Sequence, residues 1–589
     1  MKTVVAAINA KFIHTALSLR LLKAAAQDAF PVEMAEYTVK DPILHIVTDL
    51  FARKPDVVGF SCYIWNIEET LQTVSLLRKV MPQVHIILGG PEVSFDPEHF
   101  MRRERSIDVI VMGEGETAFR TLLERFQRHD TLHDIDGIAW RNRSQPDVLN
   151  IQPASATKAE LTCLPSPYRF EEDLPSLSQR IVYFETSRGC PFNCQFCLSS
   201  TEVGVRYFDM EQVKADLKYL IDHGARTIKF LDRTFNIYRE YALDIFRFLI
   251  DHHNGCVFQF EITADIMRPE VLEFLNEHAP KGIFRFEIGV QSTNEETNRI
   301  VQRRQNWNKL RRTVELVKQG GCIDQHLDLI AGLPGEDYNS FRKTFNDVFE
   351  LRPEELQLGF LKLLRGTGLR RDAEQHGYAY MEHAPYEMLS NDVLSFEDVI
   401  RIKQTEDILE KYWNAHRADE TLGMCMSLLF ETPWDFFQAF GRYWAEQGWS
   451  RIGHQLADLF IRLEQFLTEM NAPYLQVLYG MSRFDYMLQH RHKPRSTWWE
   501  TVPKAEVNDV FKRVAENPQN IVPQWAPFRW SESFLHKHGM IHEVPFDLQR
   551  WQSAKALDDH ITTTIVVLFG DAADMAARAG LPRWATIPS

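Results

Sequence analysis

Through its first 130 residues the chain alternates short apolar runs with stretches in which apolar residues recur at helical spacing. TVVAAIN (3–9), DVVGFSCYI (56–64), VHIILGG (84–90) and DVIVMGEGE (108–116) read as strands, and 15–29 and 67–80 as helices, with another helix after the fourth strand. Strands that are apolar throughout are covered on both faces, which predicts a doubly wound parallel sheet. The ligand of such a sheet lies beyond the carboxyl ends of its strands.

Residues 131–180 are rich in Pro, Ser and acids, have weak periodicity, and read as a connector. From 181 the alternation resumes with a longer period. Strands are predicted at 181–187, 227–231, 257–263, 283–290, 325–330 and 355–361. In DMEQVKADLKYLIDHG, Met210, Val213, Leu217, Leu220 and Ile221 share one helix face. Asp209 with Gln212 resembles a capping box there, and Gly224 suits the C-terminal cap. Pro269 sits where the first turn of a helix tolerates it. Six βα units in succession predict a full or partial (β/α)6 barrel over 181–370, with its chemistry on the loops after the strands. Residues 371–589 read as a mainly α-helical extension whose tryptophans belong to its core, with TTTIVVLF (562–569) as one strand. The fold class is α/β.

Hydrophobic content of 44% and charged content of 25% suit a chain that buries substantial cores. A formal net charge of −15 counts against sequence-independent binding to a polyanion. No apolar run reaches the roughly 20 residues needed to span a bilayer. MKTVVAAINAKF reads as a first strand rather than an export signal, so the expected compartment is the cytoplasm. Thiols stay reduced there, and clustered cysteines mean a metal or redox site more often than a disulfide.

Three of the chain's eight cysteines, Cys190, Cys194 and Cys197, fall in SRGCPFNCQFCLSS (187–200), directly after the first barrel strand. Cysteine thiolates hold iron–sulfur clusters. Three ligands leave one iron of a cubane without a protein donor, an open position at which chemistry can occur. Zinc and plain burial are the competing readings, but structural zinc usually takes cysteines in two-residue-spaced pairs and there is no second pair. Cys62, Cys163, Cys256, Cys322 and Cys425 read as buried hydrophobes.

The spacing CxxxCxxC, with Phe196 before the last cysteine, resembles the hallmark of the radical S-adenosylmethionine (SAM) superfamily. The resemblance implies a 4Fe-4S cluster whose open iron is chelated by SAM, and reductive cleavage of SAM to a 5′-deoxyadenosyl radical. It also implies an electron donor such as flavodoxin or ferredoxin. Carried over by position, Phe196, Asp232, Glu287, Ser292, the Gly332–Leu333–Pro334 segment and Leu364 are the candidates for contact with SAM. The N-terminal sheet resembles the Rossmann-like cobalamin-binding domain: His14 follows the first strand, Ser61 ends the second, and Gly89–Gly90 ends the third. Cys62 and Tyr63 lie beside Ser61, and Gly113, Glu114, Gly115 and Glu116 resemble a segment of cobalamin domains fused to such barrels. The chain departs from the family's DxHxxG pattern around His14, with Phe12 and Leu17 in place of Asp and Gly.

The combination implies an enzyme that transfers a methyl group to an unactivated carbon of a small molecule. The alternatives are radical cyclisation or rearrangement, RNA modification, and a cobalamin or redox sensor without turnover. The RNA reading rests on RIVQRRQNWNKLRR (299–312), where Arg299, Arg303, Arg304, Lys309, Arg311 and Arg312 surround Trp307; its competitor is a solvated helix face. Trp498–Trp499 is a candidate pocket wall.

Overall fold

The computed structural model describes every residue except 143–144, 155–157, 159, 202–203 and 589. Several of these fall in the expected connector, and that part of the expectation lies outside the described residues. The chain divides into two compact units, residues 1–399 and 400–589.

The first sheet of unit one contains β1 (Thr3–Asn9), β2 (Val32–Thr38), β3 (Val57–Ser61), β4 (His85–Gly89), β5 (Val109–Val111), β6 (Ile138–Asn142) and β7 (Gln145–Gln152). Its order is β2-β1-β3-β4-β5-β6-β7. The first five strands run parallel, and β6 and β7 are antiparallel additions. The sequence pattern omits β2 because it is an edge strand: only Val32 and Ala35 are buried, and Glu33, Glu36 and Thr38 break the apolar run. The β6–β7 pair carries the sheet into the stretch expected as connector. Strand order reverses between β1 and β3, which places the ligand crevice at their carboxyl ends.

The second sheet is parallel and has six strands, β8 (Ile181–Phe184), β11 (Thr227–Phe230), β12 (Val257–Ile262), β13 (Phe284–Gln291), β14 (Ile323–Ala331) and β15 (Glu355–Phe360). Its order, β15-β14-β13-β12-β11-β8, leaves it open between β15 and β8, a partial barrel. A hairpin of β9 (Ser187–Cys190) and β10 (Gly204–Tyr207) follows β8. Alternation along the strands divides two environments. Phe230, Phe258, Phe260, Phe284 and Phe286 are fully buried on one face, where Phe230 stacks on Phe260 at 4.4 Å. Lys229, Glu261, Arg285, Glu287 and His326 alternate with them on the other face and are partly exposed. Asp209 caps helix Met210–Asp222 through the amide of Gln212, but the Gln212 side chain donates to Leu164 O at 3.4 Å instead of completing a capping box; Pro269 opens helix Pro269–His278 as the sequence indicates.

The loop after β1 extends the open edge of the barrel. His14 bridges Ile181 in parallel, with Ile181 N donating to Ile13 O at 2.7 Å and Thr15 N to Ile181 O at 3.3 Å. Unit one ends with a short pair, β16 (Ala379–Tyr380) and β17 (Met388–Ser390).

Unit two is mainly helical. The run expected as its one strand is β19 (Thr563–Leu568), the centre of an antiparallel sheet with β18 (Gly539–Val544) and β20 (Trp584–Ile587). Trp434, Trp444, Trp525 and Trp551 are fully buried. Trp498 donates to Glu464 at 3.0 Å and meets Tyr486 and Trp499 edge-on. The pair is therefore packed against its neighbours rather than forming a free pocket wall.

Candidate active site at the barrel mouth

The cysteines sit where the first barrel strand turns into the β9–β10 hairpin. Gly189 has φ +98°, and a Cβ there would collide with the carbonyl oxygen of Gly204; glycine allows the two strands to close up. Cys190 and Cys194 are buried and Cys197 is partly exposed. None is in a disulfide. The loop is stitched on both sides through Gln195, whose N–H donates to Val301 O and whose carbonyl accepts from Leu369 N, each at 2.9 Å. Burial pushes the Cys194 thiol up, Arg303 pulls it back, and Cys197 and Cys190 push it up again, so the three sulfurs are within electrostatic range of one another. Arg303 Nη1 lies 3.9 Å from Cys194 Sγ, and its Nη2 donates to Gly289 O. Among the described residues no three His, Cys, Asp or Glu side chains converge as a mononuclear metal site. Free cysteine thiols on one short loop are the donor type that would hold an iron–sulfur cluster.

The SAM candidates fall into two groups. Some are already engaged by the protein. Asp232 is buried and accepts from Thr186 N at 3.0 Å, Thr186 Oγ1 at 2.6 Å and Ser187 Oγ at 2.5 Å, which fixes the strand leading to Cys190. Glu287 is held by Lys229 Nζ at 2.8 and 2.7 Å. The Ser292 hydroxyl donates to Glu336 at 2.7 Å. Burial raises the Glu336 carboxyl to about 7, and its Oε2 has no partner. The others are loop positions. Phe196 and Leu364 are partly exposed, while Gly332, Leu333 and Pro334 are buried, with Gly332 O accepting from Tyr378 Oη at 2.8 Å. The sequence offers no sign of Gln291, which ends β13 with φ +68° and a buried, unpartnered Oε1. Nor does it single out Arg303, because its partners are distant along the chain.

At the crevice of the first sheet, the Ser61 hydroxyl is buried without a partner, as an acceptor or donor for a bound tail would be. Gly90 has φ +110°, and a Cβ there would lie 2.5 Å from Cys62 O, so the β4 loop can approach β3 only as glycine. Around Gly113 a Cβ would meet nothing within 4 Å, which is open space at the end of β5. Gly89, which ends β4, and Gly115 are partly exposed beside it. Cys62 is buried, and desolvation pushes its thiol far up. Tyr63 stacks on half-exposed Trp65 at 4.4 Å. These residues fit a large ligand threaded between β1 and β3. His14 lies at the barrel edge: its Nδ1 is 2.9 Å from Tyr183 Oη, and burial, then Lys11, Lys229 and Arg180, depress its basicity.

Crevice and cysteine hairpin are pinned together. Glu116 pairs with Arg188 at 2.7 Å, Glu114 with Arg206 and, at 3.8 Å, with Arg188, which also holds Glu185 at 3.0 Å. Farther along, Arg365 binds Asp96 at 2.8 Å, and Tyr386 donates to the buried Glu92. The acids of the GEGE motif thus bind cations of the neighbouring domain.

Residues 3–123 match the model of the B12 binding domain, and residues 184–348 that of the radical SAM superfamily. The chain thus carries a B12-binding domain and a radical SAM domain. Residues 374–569 match a third model, a domain of unknown function (DUF4080). Similar curated proteins include 2-(S-pantetheinyl)-carbapenam-3-carboxylate methyltransferase of Streptantibioticus cattleyicolor, 28% identical over 55% of this chain and 50% of that one. The cobalamin-dependent radical SAM methyltransferase TokK of Streptomyces tokunonensis is 27% identical over the same shares, so the chain spans half the length of either relative. Among solved structures, OxsB with aqua-cobalamin and SAM superposes with a TM-score of 0.57, 16% identity, and coverage of 83% of this chain and 79% of that one. TsrM of Kitasatospora setae gives 0.55 and 16%, over 67% and 80%. At that identity the likeness is one of fold. Two expectations change. Cys163 is exposed in a short 3-10 turn and Cys322 is partly exposed, so only Cys62, Cys256 and Cys425 are buried hydrophobes. The basic run is not a continuous strip, since Arg299 pairs with Glu296 at 2.5 Å, Arg311 with Glu315 at 2.9 Å, and Arg303 turns toward Cys194. No described helix is long and apolar enough to cross a membrane.

Proposed function

We propose that this protein is a cobalamin-dependent radical SAM enzyme that transfers a methyl group to an unactivated carbon of a small molecule. The observation that carries the reading is the joint held by Arg188, Glu114 and Glu116, which sets the crevice of the B12-binding domain against the cysteine hairpin. When bound, the cluster supplies the electron that cleaves SAM, and cobalamin carries the methyl group. The residues of the chain then have distinct tasks. Cys190, Cys194 and Cys197 hold the cluster, and Asp232 fixes the strand that leads to them. Gln291, with its unpartnered carbonyl, is available to orient SAM from the end of β13. Ser61, Gly90 and the open space at Gly113 receive cobalamin.

Protein purified without oxygen and reconstituted with iron, sulfide and cobalamin tests the reading. It should show cubane absorbance that is lost when the three cysteines become alanine, and should release 5′-deoxyadenosine from SAM under reduction. Retention of the absorbance in the triple variant defeats it. Detection of S-adenosylhomocysteine along with 5′-deoxyadenosine separates methyl transfer from cyclisation. The cyclisation reading draws on a 23% likeness to the anaerobic magnesium-protoporphyrin IX monomethyl ester cyclase of Rubrivivax gelatinosus.

A further inference from the structure

Unit two carries a corner that the radical SAM reading does not use. Strand β19 ends at Leu568, and after Phe569 and Gly570 the chain enters helix Asp571–Arg578. Main chain pins two other segments to this turn: Phe569 N donates to His538 O and Gly570 N to Arg491 O, each at 2.8 Å. Gly570 has φ +55°, and no side chain caps the helix that follows it. The amides of Asp571, Ala572 and Ala573 have no acceptor among the described residues, as the first turn of an uncapped helix leaves them. Two imidazoles stand against the same turn. A Cβ on Gly570 would lie 3.5 Å from His538 Nδ1 and 3.7 Å from His492 Nδ1, so both nitrogens face the side on which Gly570 carries nothing. His538 is only 9% exposed, and its ring packs on Phe534 at 4.5 Å. Neither of its ring nitrogens has a hydrogen-bond partner among the described residues. A buried polar group left unpaired calls for a ligand or a water. Of the acids nearby, Asp574 is met by Arg491 at 3.7 Å and Asp571 is exposed to solvent, which screens it.

We propose that this corner binds a phosphate group, free or carried by a small molecule, through the amides of Asp571, Ala572 and Ala573 and the imidazoles of His492 and His538. A helix N-terminus offers convergent N–H donors and partial positive charge, which together favour an anion. Each imidazole adds a donor from Nδ1, either as the Nδ1–H tautomer or when protonated. Five donors exceed the roughly four acceptor sites of a carboxylate and suit a phosphate, which brings three strong acceptor oxygens and up to two negative charges. A metal ion fits less well. Two imidazoles alone fall short of the three protein ligands of even an open zinc site, and no third His, Cys, Asp or Glu joins them among the described residues. The site lies wholly within unit two and needs neither cluster nor cobalamin.

The test titrates the full-length chain calorimetrically, in the presence of EDTA, with inorganic phosphate and separately with glycerol 3-phosphate. Amide exchange over residues 569–576 is followed by mass spectrometry in the same samples. At least one of the two probes should bind and should slow exchange in that peptide. Binding of inorganic phosphate alone identifies the free ion as the ligand, and tighter binding of the ester identifies a phosphorylated small molecule; either supports the site. His538→Leu and His492→Ala should each weaken binding about tenfold, the loss of one hydrogen bond to a charged group. His492 is exposed, so its variant keeps the test decisive should His538→Leu misfold. Acetate at equal ionic strength should bind at least about tenfold more weakly than the better phosphate probe. The proposal is overturned if neither phosphate probe binds, if both variants bind as tightly as wild type, if protection falls outside residues 569–576, or if acetate binds equally well. Binding seen only when EDTA is left out overturns it too, because a metal ion then carries the anion. None of these outcomes bears on the radical SAM reading, which is tested at the cysteines.

Discussion

Replacing Arg188 by Met tests the joint between the crevice and the cysteine hairpin. The guanidinium is only 11% exposed and faces three carboxylates, Glu116 at 2.7 Å, Glu185 at 3.0 Å and Glu114 at 3.8 Å. Burial works against its charge, but the acids more than compensate and hold it protonated. Methionine keeps most of the apolar stem and leaves the carboxylates without this cation; Glu114 retains Arg206. Breaking a buried pair in this way costs about 3–5 kcal/mol. The cost should depend on pH. Burial already raises the Glu185 carboxyl, and Arg188 opposes that rise. Without Arg188 it climbs further, so the folded state binds a proton more readily than the unfolded one. Stability is then lost as pH rises through the folded value and regained as pH falls. Urea unfolding of the apoprotein at pH 5 and pH 8, with hydrogen exchange on the β9–β10 peptides, should show the full deficit at pH 8 and a smaller one at pH 5. The R188M/E116Q protein should recover part of it. A deficit under about 1 kcal/mol, or one equal at both pH values, would refute the reasoning.

Ser61→Ala removes a buried hydroxyl that has no partner. The apoprotein should unfold no more easily, or be more stable by about 1 kcal/mol, while cobalamin titration should show weaker binding; unchanged cobalamin affinity removes Ser61 from the site. Glu336, with its carboxyl raised to about 7, binds a proton in the folded state that the unfolded chain releases near 4.5. Its contribution therefore falls as pH rises through 7, by an amount on the order of 2–3 kcal/mol at pH 8. Glu336→Gln should flatten that slope in denaturant melts between pH 6 and 8, and an unchanged slope sinks the assignment.

The sequence pattern reveals strands where both faces are buried and conceals them where one edge faces water. All six barrel strands stand out because aromatic and aliphatic residues such as Phe258, Phe260, Phe284 and Phe286 repeat within them. β2 and β7 do not, because polar residues such as Glu33, Glu36 and Asp147 interrupt them on the two margins of the sheet. The site divides similarly. Cys190, Cys194 and Cys197 are legible because their ligand spacing is local. Arg303 reaches a cysteine 109 residues away, and Arg188 reaches Glu116 across 72, distances over which no local pattern operates. The bridge of His14 to Ile181 is likewise absent from any local pattern, since 167 residues separate them.

That bridge has a consequence for building chimeras. The hydrogen bonds of Ile13 and Thr15 to Ile181 mean that the margin of one sheet is finished by backbone borrowed from the other. Cutting the gene between them would strip β8 of this cover and leave unsatisfied amide and carbonyl groups on a strand built to be paired, an invitation to self-association. Grafting a foreign B12 module onto this barrel would succeed only if its first loop could make the same graft of main chain, so the two modules are best exchanged as a single cassette.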